Sequence, residues 1–234
     1  METRIEDIEI ATGAGPMGAC IVTPQGPGPF PAVIVAMEAF GLNDHIKAVA
    51  ARIAAQGYVT VAPDFYHRAD DRIADYADLP KAIGLMNELT DDDILEDVRA
   101  TIAELSARPE VRAERIGMTG FCMGGRITFL SAASLPIQAA APFYGGGIGG
   151  LLDRAEGISC PMVAFFGEKD GFIPLEEVDR IKARLAELGK PAEVVVYEGA
   201  DHGFFCDERP SFDEKAATDA WNRLVSLFAE TLIG

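Results

Sequence analysis

The sequence predicts an α/β protein: one parallel-dominated sheet flanked by helices on both faces. Three observations predict it. Apolar runs of strand length recur along the chain, the clearest being Ala32-Val33-Ile34-Val35-Ala36-Met37, continuous as in a strand buried on both faces. After the first two strands such runs alternate with segments of helical spacing, the pattern of a parallel sheet with crossover helices. No linker and no fixed-period repeat interrupts residues 1–234, so one domain over the whole chain is expected.

The elements follow in order. Ile5, Ile8 and Ile10, then Met17 to Thr23, form two early strands joined by the turn at Gly13-Ala14-Gly15-Pro16. A Gly/Pro-rich connection from Pro24 to Pro31 leads into the apolar strand, which ends at Glu38-Ala39-Phe40-Gly41. Asn43 to Gln56 has helical spacing, with Ile46, Val49, Ala50 and Ile53 on one side and Gly57 as the stop. Tyr58 to Ala62 is the next strand, ended by Pro63-Asp64. Phe65 to Leu89 is mixed and acidic, a connection long enough to be a lid or to carry short helices. Thr90 and Asp93 make a capping box that opens a helix bearing Ile94, Leu95, Val98, Ile102 and Leu105. Then come a strand at Arg115 to Thr119, a helix from Arg126 to Leu130, and strands at Ile137 to Phe143 and Met162 to Phe166. Leu175 to Leu188 is an amphipathic helix, Ala192 to Tyr197 the last strand and Phe212 to Leu232 the last helix.

Composition narrows the function. With 37 acidic against 20 basic residues the net charge is −17, which lacks the excess of cations that nucleic acid or an anionic membrane attracts. No apolar run approaches the ~20 residues of a membrane span. Met1 to Ile10 is acidic and alternating, without the basic and apolar regions of a signal peptide, so a cytoplasmic location is expected. The four cysteines, Cys20, Cys122, Cys160 and Cys206, are expected as free thiols. His202 and Cys206 lie four apart, but no second ligand pair accompanies them, and no metal is expected.

The chemistry centres on Gly120-Phe121-Cys122-Met123-Gly124-Gly125, between a strand and a helix. That is the context of a nucleophile elbow, G-x-S-x-G, with cysteine in place of serine. Ligands of a parallel sheet sit at the carboxyl ends of its strands. Asp170, in Gly167-Glu168-Lys169-Asp170-Gly171, and His202, in Ala200-Asp201-His202-Gly203, both occupy such ends. Nucleophile, acid, base is the chain order of α/β-hydrolases. A thiolate on Cys122 would attack an acyl carbon, His202 would protonate the leaving group, and Asp170 would fix the imidazole tautomer. The oxyanion would be received by the N–H groups of Met123 and of Ala39, in the loop after the Ala32–Met37 strand. In the same loop Glu38, a carboxylate directly after an apolar strand, is either a solvated side chain or a partner able to take the proton of Cys122.

These pieces together resemble the dienelactone hydrolase family of the α/β-hydrolase superfamily. The resemblance is carried by Met37-Glu38-Ala39-Phe40-Gly41-Leu42-Asn43, by Gly57-Tyr58-Val59 with Ala62-Pro63-Asp64-Phe65-Tyr66, by the cysteine elbow, by Asp170-Gly171-Phe172-Ile173-Pro174, and by Asp201-His202-Gly203-Phe204. It implies the α/β-hydrolase fold with a mostly parallel eight-stranded sheet. It implies a triad of Cys122, Asp170 and His202 assisted by Glu38, without a cofactor. The implied reaction is hydrolysis of a small activated ester or enol-lactone, carboxymethylenebutenolidase-like, through a thioester on Cys122. Basic residues in the family hold a substrate carboxylate. Arg68 and its neighbour Tyr66 are the first candidates here, ahead of Arg209 and Arg126. The expected partner is a small-molecule ester or lactone, and the expected state a monomer or small homo-oligomer.

Other signals carry less. Gly145, Gly147 and Gly150 fit G-x-G-x-x-G, with Glu168 and Asp170 downstream, but the helix that follows would be too short for a βαβ crossover. His45 and Cys20 and Cys160 suit packing roles, and His67 is open. Two alternatives remain: a carboxylesterase or thioesterase with another acyl substrate, and a non-catalytic binder on the same scaffold.

Overall fold

The computed structural model describes residues 1–234. Eight strands form a mixed sheet in the order β1-β2-β4-β3-β5-β6-β7-β8. By contacts the chain makes two compact units, Met1–Gly117 and Met118–Gly234, and strand β5 passes from the first into the second.

In the first unit β1 (Thr3–Thr12) and β2 (Gly15–Pro24) pair antiparallel in full register, with Thr12 opposite Gly15 at the hairpin. Gly13-Ala14 is the two-residue turn, and Gly15 has φ +112. β2 pairs antiparallel with β4 (Val59–Pro63), and β3 (Phe30–Ala36) pairs parallel with β4. The continuous apolar run of β3 is buried throughout from Pro31, as a two-sided interior strand requires. Helix α1 (Asp44–Ala54) packs on β2, β3 and β4. Asn43 caps it by accepting from Ile46 N, and Ile46, Val49, Ala50 and Ile53 are its buried stripe.

The long connection after β4 is more ordered than its composition suggests. It contains helix α2 (Leu79–Asn87), which Asp78 caps by accepting from Lys81 N and which has proline in its first turn. Helix α3 (Asp91–Ala107) begins with the expected capping box: the Thr90 hydroxyl accepts from Asp93 N at 3.1 Å, and the Asp93 carboxylate accepts from Thr90 N at 3.3 Å. β5 (Val111–Phe121) is longer at both ends than the expected strand.

The second unit continues with α4 (Met123–Ser134), β6 (Ala139–Phe143), a 3-10 segment (Ile148–Gly157), β7 (Met162–Gly167), α5 (Leu175–Glu187), β8 (Ala192–Tyr197) and α6 (Glu214–Phe228). β6, β7 and β8 are mutually parallel. The β1–β2 and β2–β4 pairs are antiparallel, and the β3–β4, β6–β7 and β7–β8 pairs are parallel. α4 packs on β6, α5 on β8 and α6 on β7. The 3-10 segment follows Gly147, which has φ +80, so the glycine-rich stretch is a tight turn rather than the opening of a crossover helix.

Candidate active site

Strand β5 delivers Cys122 at its end and α4 starts at the next residue. Cys122 has φ 54 and ψ −116, a backbone region that residues with a Cβ rarely occupy. Three bonds hold it there. Its N–H donates to Phe143 O at 3.1 Å, and its carbonyl accepts from Gly125 N at 2.9 Å and Arg126 N at 3.3 Å. Gly125 permits the turn, since a Cβ there would lie 2.3 Å from Phe143 O. Cys122 is partly exposed while Cys20, Cys160 and Cys206 are buried. The strained corner thus presents one thiol outward, at the N-terminal end of α4, where peptide dipoles favour a negative charge. Met123 is the first residue of that helix.

Asp170 follows β7, and both its carboxylate oxygens are engaged. Oδ1 accepts from Phe172 N at 2.9 Å and Ile173 N at 3.1 Å, which fixes the plane of the carboxylate. Oδ2 lies 2.8 Å from Nδ1 of His202, which follows β8. The His202 side chain also bonds to Cys122. Burial pulls the pKa of His202 down, but the bonds to Asp170 and to Cys122 outweigh it and raise it to about 10. An imidazole so placed carries its proton on Nδ1 toward the carboxylate and can exchange one with the thiol. Two rings wall it: Tyr144 and Phe172 each meet the His202 ring edge-on at 5.1 Å.

Glu38, Ala39, Tyr66 and Arg68 belong to the first unit. Glu38 is fully buried, two residues past the end of β3, so it is not the solvated loop side chain that its type suggests. Its carbonyl accepts from Gly41 N at 3.2 Å. Gly41, at φ +92, has no room for a Cβ, which would meet Arg72 O at 2.2 Å. The Ala39 carbonyl accepts from the Tyr66 hydroxyl at 2.9 Å, and Tyr66 N donates to Asp64 Oδ1 at 3.0 Å. Tyr66 is therefore buried beneath the loop it supports.

Arg68 is committed elsewhere. Its Nη1 and Nη2 donate to the two oxygens of buried Asp97 at 2.6 and 3.0 Å, and Nε lies 3.8 Å from Asp93. Nε2 of His67 is 2.7 Å from the same Nη1. Contact with a substrate through Arg68 or Tyr66 would require one of these bonds to be exchanged. Two residues next to His202 stand out instead. Phe172 leaves 62% of its surface exposed against the imidazole. Arg209 folds back over the residue after His202: a Cβ on Gly203 would lie 2.3 Å from its Nη1. Phe172 was legible as an aromatic two residues after the candidate acid. Arg209 was legible only as a secondary basic candidate, because its placement depends on the turns Cys206 N to Gly203 O and Arg209 N to Cys206 O. No group of three or more His, Cys, Asp or Glu side chains forms a metal-ligand set.

The chain is similar to known proteins over nearly its whole length. The dienelactone hydrolase family matches residues 17–232. A candidate carboxymethylenebutenolidase of Synechocystis sp. is 37% identical over 224 residues, 91% of this chain and 91% of that protein. One from Escherichia coli is 36% identical, covering 88% of this chain and 79% of its own length. The crystal structure of a candidate dienelactone hydrolase from Klebsiella pneumoniae superposes with a TM-score of 0.91 at 33% identity, covering 98% of this chain and all of that one.

Proposed function

The chain belongs to the dienelactone hydrolase family, hydrolases of esters and lactones, and we propose that it cleaves a small activated ester or enol-lactone, dienelactone-like, through a thioester on Cys122. The observation that carries this reading is the position of His202, with Asp170 2.8 Å from one ring nitrogen and the side chain of Cys122 bonded on its other side.

The Cys122 thiolate adds to the acyl carbon, and the carbonyl π electrons move onto oxygen. The N–H of Met123 receives that oxyanion, and the family resemblance assigns the second donor to Ala39 and assistance in deprotonating the thiol to Glu38. As the carbonyl re-forms, the acyl C–O bond breaks and His202 gives its proton to the leaving oxygen. In a lactone the leaving oxygen stays tethered to the acyl group. Water, losing a proton to His202, then adds to the thioester. The C–S bond breaks, and the acid and the thiolate separate. Asp170 orients the ring throughout and stabilises the imidazolium whenever His202 carries the second proton. Phe172 offers an apolar wall and Arg209 a cation beside the base, which suits a small acyl group bearing an anionic substituent.

The test is turnover of an aryl ester and of an enol-lactone by Cys122→Ala. A loss of at least ~1000-fold in kcat is expected for both substrates. Turnover close to that of the unaltered protein would remove the nucleophile and with it the reading.

A further inference from the structure

Strands β7 and β8 run side by side, with Gly167 opposite Tyr197. Past this pair the chain continues as two loops, one carrying Asp170 and the other His202. The distance between carboxylate and imidazole is set by how these loops are tied together. The backbone supplies part of the tie: Glu168 N donates to Tyr197 O at 2.9 Å and Lys169 N to Ala200 O at 2.8 Å. Gly167 allows the approach, since a Cβ there would sit 2.5 Å from Ala200 O. One side chain supplies the rest. Oε2 of Glu168 accepts from Gly199 N at 2.8 Å, across 31 residues of sequence. Gly199, at φ +75, is the corner where the chain leaves β8 and turns toward His202.

We propose that Glu168 is a positioning residue for the acid–base pair: its carboxylate clamps the Gly199 corner and so holds the His202 loop in register with Asp170. The proposal rests on His202 acting as the base at Cys122. Glu168 lies on the surface, and its bond goes to a peptide N–H rather than to a basic side chain. An acidic side chain in that situation does not act as half of a surface ion pair. It reaches from the acid loop to the base loop, two residues from Asp170 at one end and three from His202 at the other. A charge-assisted bond to a backbone donor is stronger than a neutral one, and here it constrains the turn that aims the imidazole. Substrate does not enter the argument, so the effect belongs in kcat and not in KM.

The experiment compares Glu168→Ala, Glu168→Met and Glu168→Gln in the full chain with the aryl ester used for Cys122→Ala. Loss of one charge-assisted bond predicts kcat about tenfold lower in the alanine and methionine variants at unchanged KM. The downfield proton resonance of His202 Nδ1 should weaken or broaden in both. Glu168→Gln keeps an oxygen that accepts from Gly199 N–H, so it should recover most of the loss. Unchanged kcat in Glu168→Met would overturn the proposal. So would a loss that follows thermal stability while the Nδ1 resonance stays as it was. Cys122→Ala in parallel separates the two readings: an active alanine variant sinks the hydrolase mechanism, while an inactive one with full activity in Glu168→Met sinks only the clamp.

Discussion

The molecule contains two buried aspartate–histidine pairs, one in each unit. In the second unit Asp170 meets Nδ1 of His202 at 2.8 Å, and the other side of the ring meets a thiol. In the first unit Nε2 of His67 lies 3.2 and 3.3 Å from the oxygens of Asp97 and 2.7 Å from Nη1 of Arg68. Arginine has donors only, so Nε2 of His67 faces a guanidinium as an acceptor. Both pairs are buried, and both carboxylates have a partner on each oxygen. They differ in what completes the line. His202 stands between a carboxylate and a nucleophile, so a proton gained on one side changes the reactivity of the other. His67 directs a single nitrogen at both a cation and an anion that already neutralise each other. A buried carboxylate beside an imidazole is therefore not evidence of catalysis; the atom on the far side of the ring decides.

The largest effect that could break this contrast is at Asp170. Asp170→Asn keeps the shape but loses the charge and the acceptor pattern that hold the imidazole tautomer. It should lower kcat by about 10⁴, as at comparable triads. The pH dependence has a definite sign. His202 has its folded-state pKa raised to about 10 from 6.5. Its contribution to stability is then fully present below pH 6.5 and is lost as pH rises through 10. Thermal melts should show the unaltered protein losing stability over that window, and Asp170→Asn should flatten the loss. An Asp170→Asn variant with the same alkaline slope would mean that the pair does not hold the proton in the folded protein.

Asp97→Asn comes next and should act on a different quantity. It leaves Arg68 facing an uncharged side chain that keeps only one of the two oxygens its guanidinium bonds to. The expected cost is about 3 kcal/mol of unfolding free energy, toward the lower end for a buried pair because Arg68 keeps 25% of its side chain exposed. Denaturant midpoints should fall while kcat per folded molecule stays within about twofold, since the bonds of this cluster close on one another. A collapse of kcat at full stability would place the cluster in the catalytic machinery and erase the distinction.

The two regions were not equally legible in the sequence. Cys122, Asp170 and His202 each follow an apolar strand run, so the elbow motif, the strand exits and the order along the chain marked them. β3 was legible from its unbroken apolar run, and α3 from Thr90 and Asp93. Helix α2 was not, because only Ala82 and Leu85 are buried on it and the apolar stripe is too thin to mark a period. Arg68 drew attention because the family resemblance implies a basic residue for a substrate carboxylate, and its partner is what the sequence hid. Yet Asp97 carried a signal. With Ile94, Val98, Thr101 and Leu105 it lies on the buried side of α3, so a carboxylate sat within an apolar stripe and required a cation from elsewhere.

The finest comparison exchanges the same residue type in both pairs. His202→Gln removes the group that passes the proton and should leave no measurable turnover. His67→Gln should be nearly silent. A glutamine oxygen can accept from Arg68 Nη1 as Nε2 does, and Asp97 keeps both bonds from the guanidinium. What is lost is the packing of a ring against a satisfied carboxylate, about 1 kcal/mol or less. Denaturant unfolding and steady-state kinetics on the two variants, made in the same background, give four values. The contrast stands if turnover collapses for one and stability barely moves for the other. If His67→Gln instead destabilises as strongly as Asp97→Asn, the imidazole, and not Arg68, neutralises Asp97, and the first-unit pair is closer in kind to the second than its geometry implies.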